Sequence, residues 1–339
     1  MTDPGTGGRR ARAATLEPPF ASAADVCAVV GAAAAAPSVH NTQPWRFHRA
    51  DDATMELYAD LDRLLTVTDP MGRGLGLSCG AALYNLRLAV RVTGHDAHVR
   101  ILPDPAARPD LLATVHAVPG DPPTADELLL HGMIPHRRTN RFPFDDRPVP
   151  REIVVGLVHA AHAESATLVP VTGRTARRVL ELIAMADDTL ADDPAYRDEL
   201  ARWTGPDARA DGVPEHAAGP RPRDGRLPMR DFGQRVGTAE FEPEPQLAAL
   251  FTRGDGPRDW LRAGQALQRV LLTATARGVA ASLFSQPLDL RPPQHRDDRT
   301  GGPFGHVQML IRLGYGPPVP RVPRRPVAEL LDGREAHGA

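Results

Sequence analysis

The chain has 339 residues, a length that suits one large domain or two medium-sized ones. It contains no lysine, and its 40 arginines against 42 acidic residues leave a formal net charge of −2. A charge so nearly balanced does not indicate a nucleic-acid or anionic-membrane partner. The longest apolar run, residues 26–36, is too short to cross a bilayer. We therefore expect a cytoplasmic protein with a disordered leader at residues 1–21 and a short tail at 332–339.

Helix and strand signals alternate through residues 22–134. Ser22, followed by Asp25, suits a helix N-cap, and Pro37 ends that helix. Apolar residues at helical spacing predict a long second helix that Gly94 is placed to cap. The predicted helices are residues 22–35, 75–92 and 125–135. The predicted strands are residues 45–48, 54–58, 97–101 and 111–117.

Residues 135–331 repeat this outline. The predicted helices are residues 152–161, 175–190 and 260–277, and the predicted strands are residues 167–171 and 307–313. Each half thus offers a helix, a strand, a long glycine-capped helix and a strand. This is a weak internal repeat, present in the order of elements rather than in the residues, and it favours two similar halves in one chain.

One long segment, residues 191–258, interrupts the second half. It is rich in proline, glycine, arginine and aspartate and has few apolar residues. Loops longer than about 12–15 residues are usually functional lids or disordered linkers. The composition alone leaves both interpretations open.

The turn after the first predicted helix contains several polar, uncharged side chains. Residues 36–45 read APSVHNTQPW, and the two prolines stiffen the backbone. Ser38, Asn41 and Gln43 can present hydrogen-bonding groups without adding charge. Such a turn is equipped to hold a flat ring with polar edges. From the residues alone, these groups could equally satisfy the backbone of the loop itself.

A cluster of arginines follows the third predicted helix. Arg137, Thr139 and Arg141 alternate along the chain, and alternate side chains of an extended segment share one face. Two guanidinium groups and a hydroxyl would then converge on an anion the size of a phosphate. The alternative is a solvated basic loop paired with Asp145 and Asp146.

Other familiar motifs give no clear indication of a site. Two histidine pairs, at residues 95 and 98 and at residues 159 and 162, have metal-like spacing but lack further ligands, so we predict no metal site. The glycines between residues 72 and 80 come without a Walker lysine and indicate a flexible turn. No serine nucleophile elbow or Cys–His pair stands out, and no catalytic residue is assigned.

Several of these motifs together resemble the flavin-dependent nitroreductase family. Residues 36–45 resemble its APSxxNxQPW signature, and residues 137–142, which read RRTNRF, resemble its Arg-x-Ser/Thr-x-Arg phosphate motif. Further matches lie at residues 278–282, 286–288, 308–316 and 324–326. In this chain residues 36–45, called the amide loop below, come before the arginine motif. Ordinary members carry the arginine motif first and the amide loop after it, in a short chain that dimerises. The reversed order here resembles the Acg-type branch, in which two such halves are fused, and the resemblance covers residues 24–331.

The resemblance implies an α+β fold in which residues 22–134 and 135–331 form two nitroreductase-like halves of a single-chain pseudo-dimer. It also implies that residues 191–258 fold over the cofactor as a lid. One FMN per chain would lie between the amide loop of the first half and the arginine motif of the second. The expected FMN-binding residues are Pro37, Ser38, Asn41, Gln43, Asn85, Arg137, Thr139, Arg141, Leu283, Ser285, Gln286, Arg324 and Arg325.

Two functions are compatible with this resemblance. The first is an FMN oxidoreductase that passes electrons from NAD(P)H to a nitroaromatic, a quinone or a similar small acceptor. The second is a flavin-binding or storage protein without turnover, because a closed lid would exclude nicotinamide. Ser285 also stands where the family often has an acidic residue. The pseudo-dimer could remain a monomer or pair further.

Overall fold

The computed structural model describes residues 16–205, 209–223, 225, 227–233, 237–290 and 302–332. The first half consists of seven longer elements in the order α1, β1, β2, α2, β3, β4 and α3. Their bounds are Ala23–Ala34, Trp45–Arg49, Thr54–Ala59, Arg73–Val92, His95–Ile101, Leu111–Pro119 and Ala125–Met133. The second half follows with α4, β5, α5, α6, β6, α7, β7 and β8. Their bounds are Arg151–His162, Thr167–Val171, Gly173–Asp192, Pro194–Arg202, Gln246–Thr252, Pro257–Ala276, Ala280–Phe284 and His306–Gly314.

Shorter elements fill the connections. Helical turns lie at Val39–Asn41, Leu61–Arg63, Glu215–Ala218, Gln286–Asp289 and Val327–Leu330. Two-residue strands lie at Thr204–Gly205, Val213–Pro214, Arg221–Pro222 and Thr238–Ala239. Among the described residues, no helix combines the length and the apolar character needed to cross a bilayer.

Two antiparallel four-stranded sheets repeat one topology. The first sheet has the strand order β1-β2-β4-β3, and the second has the order β5-β6-β8-β7. In both sheets the first two strands are neighbours, and a 20-residue helix joins the second strand to the third. The α+β fold predicted from the sequence is therefore confirmed. The repeated topology agrees with two fused halves, and the pseudo-dimer itself stays a prediction.

The two long helices α2 and α7 cross at a pair of glycines. Gly80 lies seven residues after the start of α2, and Gly264 lies seven residues after the start of α7. A Cβ on Gly80 would come closer than 3.0 Å to the backbone of Leu261, and one on Gly264 would do the same at Leu77. The contacts are reciprocal, so the two helices approach at the same depth and form a common seam between the halves.

The predicted helices and strands agree with the structure to within three residues at each end. The flexible turn predicted for the glycines between residues 72 and 80 is wrong, because Gly74, Gly76 and Gly80 lie inside α2. Two boundaries are also wrong. The segment predicted as a lid, residues 191–258, contains β6, which is a central strand of the second sheet. Its central residues 247–250 are buried consecutively, so it lacks the alternation by which an exposed strand is recognised. Phe20, predicted in the disordered leader, is fully buried in the first-half core. The rest of that leader, residues 1–15, and residues 333–339 of the predicted tail lie outside the described residues.

The start of α2 contains a buried carboxylate. Asp69 accepts a hydrogen bond from the backbone N–H of Leu75 at 2.8 Å, yet burial raises the pKa of Asp69 to about 6. An acid whose pKa is higher in the folded than in the unfolded protein stabilises the fold most at low pH. That contribution is lost as pH rises through about 6.

We therefore expect Asp69→Asn to increase the free energy of unfolding at pH 8 by up to about 3 kcal/mol, with little change at pH 4. Asparagine keeps an oxygen that can accept the Leu75 hydrogen bond. Urea unfolding of both proteins at several pH values measures the difference. A stability difference that is independent of pH would contradict the assignment of Asp69 as the titrating group.

Candidate functional site

Two connected pockets lie between the halves, where the amide loop meets the arginine cluster. The first, the arginine pocket, is lined by the side chains of Arg137, Arg138, Arg141, Arg321 and Arg324. The second, the inner pocket, lies beside the end of β7 and the long helices. Pro37, Ser38, Thr139 and Arg141 line both. Their empty spaces measure about 760 and 790 Å³, including solvent at the mouths.

The amide loop is fixed in an unusual backbone conformation. His40, Asn41 and Gln43 have φ values of 47°, 55° and 50°, a region that costs non-glycine residues energy. The Ser38 hydroxyl accepts the Gln43 N–H at 2.9 Å, and the Val39 N–H donates to Ser78 on α2 at 3.2 Å. These bonds hold the loop against α2.

Arg137 is a buried cation with unused hydrogen-bond donors. Its side chain lines the arginine pocket, it is only 5% exposed, and its Nε and Nη1 have no partner within the described residues. Burial and the neighbouring Arg138 lower its pKa to about 10, which leaves the guanidinium charged at neutral pH. Because a buried charge without a partner is costly, this side chain is equipped to receive an anion.

The surroundings of Arg137 are uniformly positive. Burial, followed by Arg137, Arg321 and Arg138, lowers the pKa of Arg324 to about 9. No acidic residue lines the arginine pocket in the part of the chain that the structure describes. Arg141 donates to the carbonyl of Ala217 at 2.9 Å and stacks on Phe232, with its Cζ 4.8 Å from the ring centroid. A group with at least one negative charge matches this pocket.

The inner pocket combines apolar walls with a few polar side chains. Leu283, Ser285 and Gln286 line it from the end of β7. The Ser285 hydroxyl donates to Asp289 at 2.9 Å, and the Asp289 carboxylate also binds Arg230 at 2.9 Å. Asp289 thus pairs with arginine and does not line the inner pocket.

Comparisons with known proteins identify the relationship. The model of the family described as the nitroreductase family matches residues 134–315. The chain belongs to the nitroreductase family. A Mycobacterium tuberculosis relative whose name includes the words NAD(P)H nitroreductase is 34% identical over 334 residues, which are 95% of each chain. A second, whose name adds acg, is 31% identical over 309 residues, covering 88% of this chain and 92% of the relative.

The fold search gives more distant similarities. One is the FMN-dependent nitroreductase NfnB of Mycobacterium smegmatis, solved in complex with NADPH. It is 19% identical, the match covers 61% of this chain and 99% of NfnB, and the TM-score is 0.37. The resemblance to the Acg-type branch of the nitroreductase family, stated from the motifs, is confirmed by the sequence relatives.

Not every residue expected in this nitroreductase site faces a pocket. Gln43 is fully buried away from both: its amide donates to the carbonyl of Ala210 at 2.8 Å and accepts the N–H of Arg325 at 2.8 Å. Asn41 lines the arginine pocket, but its amide donates to the carbonyls of Gly212 and Pro323. Both side chains attach two distant segments to the loop. One is the part of residues 191–258 that precedes β6, called the insertion below, and the other is the C-terminal segment that contains Pro323 and Arg325.

The two C-terminal arginines have different roles. Arg324 lines the arginine pocket, while its guanidinium also donates to carbonyls at the end of α1, including that of Ala36 at 3.0 Å. Arg325 lines neither pocket. It binds Asp60 at 3.4 Å and the carbonyl of Glu329 at 3.1 Å. The sequence left open which of the two arginines faces the phosphate, and Arg324 is the one that lines the pocket.

Asn85 is a contact between helices rather than a cofactor ligand. It is fully buried, donates to the carbonyl of Ala32 at 2.9 Å and accepts from Gln268 on α7 at 2.8 Å. The family resemblance suggested Asn85 as a polar contact near the seam. The unseen partner was another buried amide across the seam.

The resemblance implied a lid over the cofactor, but sequence reasoning assigned no individual side chains to the closure of the inner pocket. Met229, Arg230 and Phe232 come from the insertion, and His40 comes from the amide loop itself. His40 lies in the motif but at one of its variable positions, which gave no signal. The insertion residues are distant in sequence, and only their tertiary positions bring them to the site.

The insertion is anchored by a buried carboxylate. Glu199 on α6, which is 2% exposed, accepts hydrogen bonds from the backbone N–H of Val67 and from the N–H and hydroxyl of Thr68 at 2.6–2.9 Å. Asp211 adds an ion pair with Arg63 at 2.9 Å. These contacts hold the insertion on the first half of the chain.

We expect Glu199→Ala to release the insertion, because two buried backbone N–H groups would lose their acceptor at about 1–3 kcal/mol each. Tryptic cleavage after the exposed Arg197 and Arg202 should then be at least about tenfold faster. The exposed neighbour Asp198→Ala is the matched control. Equal cleavage rates for both variants would show that Glu199 does not anchor the insertion.

Proposed function

We propose that this protein is an FMN-dependent oxidoreductase that takes electrons from NAD(P)H and passes them to a small acceptor such as a nitroaromatic or a quinone. The observation that carries the proposal is the buried guanidinium of Arg137, whose Nε and Nη1 lack partners, in a pocket without acidic residues, as far as the described residues extend. A phosphate monoester supplies the missing charge and acceptors. The names of the sequence relatives support the same class of reaction.

The two pockets divide the cofactor between them. Arg137, Thr139, Arg141 and Arg324 would hold the phosphate in the arginine pocket. The ring would lie in the inner pocket, against Pro37 and Ser38 on the loop side and Leu283, Ser285 and Gln286 on the β7 side. FMN supplies the electron transfer when bound. The chain binds and orients it, and Met229 and Phe232 exclude water from the inner pocket.

We further propose a single-chain pseudo-dimer with one FMN site rather than two. Ten residues, 35–44, join α1 to β1, whereas four residues, 163–166, join the corresponding α4 and β5. The short link carries Glu164, whose carboxylate binds Arg87 at 2.7 Å and Arg269 at 3.1 Å. The second half therefore offers an ion-pair network where the first offers the amide loop.

Anaerobic titration with NADPH, followed by addition of menadione, tests the proposal. We expect the flavin absorption to bleach and then to return as the quinone is reduced. Flavin that stays oxidised at excess NADPH and NADH would contradict the oxidoreductase function. The second candidate, a flavin-binding protein without turnover, predicts that result, and the closure of the inner pocket by Met229, Arg230 and Phe232 favours it.

A further inference from the structure

His40 presents a single hydrogen-bond donor whose position is fixed. Its Nε2 lies 3.0 Å from Nη1 of Arg230. A guanidinium can only donate, so Nε2 accepts and the ring proton is on Nδ1. Burial, then Arg230 and Arg141, lowers the pKa of His40 well below its usual value, which keeps the ring neutral. Nδ1 has no hydrogen-bond partner among the described residues, and the side chain lines the inner pocket.

The geometry around His40 is held from two sides. The left-handed backbone of the loop sets the direction of the side chain, and Phe232 packs edge-on against the imidazole with centroids 5.9 Å apart. Arg230 is held in turn by Asp289 at 2.9 Å and Ser285 at 3.3 Å. The donor is therefore preorganised, and little conformational entropy of the His40 side chain is lost when a ligand accepts its hydrogen bond.

The charge near this donor is positive. Asp289 binds Arg230 at 2.9 Å and Arg73 at 3.2 Å, and Asp187 also acts on Arg230. Arg141 adds a further cation beside Phe232. Within the described residues no carboxylate lines the inner pocket. Arg230 and Arg141 are the charged groups that lower the pKa of His40, and a negatively charged oxygen placed near His40 would be attracted by both, in surroundings shielded from water.

The remaining walls favour a flat, apolar body. Met229 and Phe232 cover the pocket from the insertion, and Leu283 and Phe284 lie on the β7 side. Aromatic rings and methionine pack well against planar ligands. A ligand matched to all these groups has an aromatic ring and one anionic oxygen-bearing substituent.

We propose that His40 and Arg230 are specificity-determining residues, which select aromatic acceptors that carry a carboxylate and receive it through the His40 Nδ1–H. The inference rests on the proposed function, since it takes the inner pocket to hold the flavin ring beside the acceptor. It goes further by naming the chemical class of the acceptor and the side chains that recognise it.

Binding of two matched ligands to the FMN-loaded protein tests this inference without turnover. Benzoate and benzyl alcohol are similar in size and differ in charge, and changes in the flavin absorption spectrum report their binding. We expect benzoate to bind at least about tenfold more tightly, the difference typical of one hydrogen bond to a charged group. Equal affinities in the wild-type protein would overturn the proposal, whatever the variants do.

Variants then assign the preference to His40. His40→Phe removes the donor and keeps the ring, so the benzoate preference should fall about tenfold, while His40→Gln, which retains an N–H donor, should keep most of it. FMN content and melting temperature check that each variant is folded and loaded, and His95→Phe, outside both pockets, is the control. An unchanged preference in His40→Phe would overturn the assignment.

The outcomes distinguish this inference from the proposed function. A protein that takes up no FMN contradicts the proposed function, and this inference is then wrong as well. A protein that binds FMN and is reduced by NADPH, but binds benzoate no better than benzyl alcohol, keeps the proposed function and loses only the acceptor class.

Discussion

Replacing Arg137 with methionine is expected to abolish FMN retention while leaving the flavin-free protein at least as stable as the wild type. The side chain is 5% exposed, and two of its nitrogen atoms lack partners within the described residues. Hydrogen bonds to a charged group contribute about 1.5–3 kcal/mol each, so losing two should weaken FMN binding by about 10² or more. An apolar side chain of similar length also removes an unpaired buried charge, which relieves a cost in the apo protein.

The prediction is specific because FMN affinity should fall while the stability of the flavin-free protein should not. FMN affinity is measured by quenching of flavin fluorescence, and apo stability by thermal unfolding without flavin. Arg178→Met, at an exposed arginine of α5, should change neither quantity. If Arg137→Met lowered apo stability and left FMN affinity intact, Arg137 would be a structural residue and the phosphate assignment would be wrong.

Gly264→Ala is expected to destabilise the protein by about 3 kcal/mol or more and to reduce FMN binding with it. The new methyl group would lie closer than 3.0 Å to the backbone carbonyl of Leu77, and both partners belong to long helices that cannot move independently. Overpacking of this kind typically costs 1–3 kcal/mol, and here the obstacle is backbone rather than a flexible side chain. Displacing α7 from α2 also moves the residues of these two helices that line the inner pocket.

Gly156→Ala provides the matched control for this prediction. Gly156 lies inside α4 with no atom within 4 Å of an added Cβ. Alanine there should stabilise the helix by about 1 kcal/mol, because glycine is a poorer helix former. Chemical denaturation measures both changes. Equal effects at the two glycines would contradict the close crossing of α2 and α7.

The parts of the site that could be predicted are those encoded by local sequence. The amide loop carries its own prolines and hydrogen-bonding side chains, and the alternation of Arg137, Thr139 and Arg141 already places three donors on one face. Pro37, Ser38, Thr139 and Arg141 accordingly line both pockets, and Arg137 lines the arginine pocket. Long helices with regular apolar spacing were predicted for the same reason.

The parts that could not be predicted depend on partners distant in the chain. Gln43 and Asn85 look like ligand contacts in the sequence, but their amides are used by Ala210 and Gln268, which no local pattern connects to them. The central strand β6 has buried residues in succession, so it lacks the alternation that marks a half-buried strand. Arg230 reaches the inner pocket only because the insertion folds back over it.

The amount of flavin released per chain tests the central claim most directly. The protein is saturated with FMN, freed of excess by gel filtration and denatured, and the released flavin is identified by mass and quantified by absorbance. The account predicts about one FMN per chain, bound between the amide loop and the arginine pocket. No retained flavin would contradict the site, and two FMN per chain would contradict the single-site pseudo-dimer.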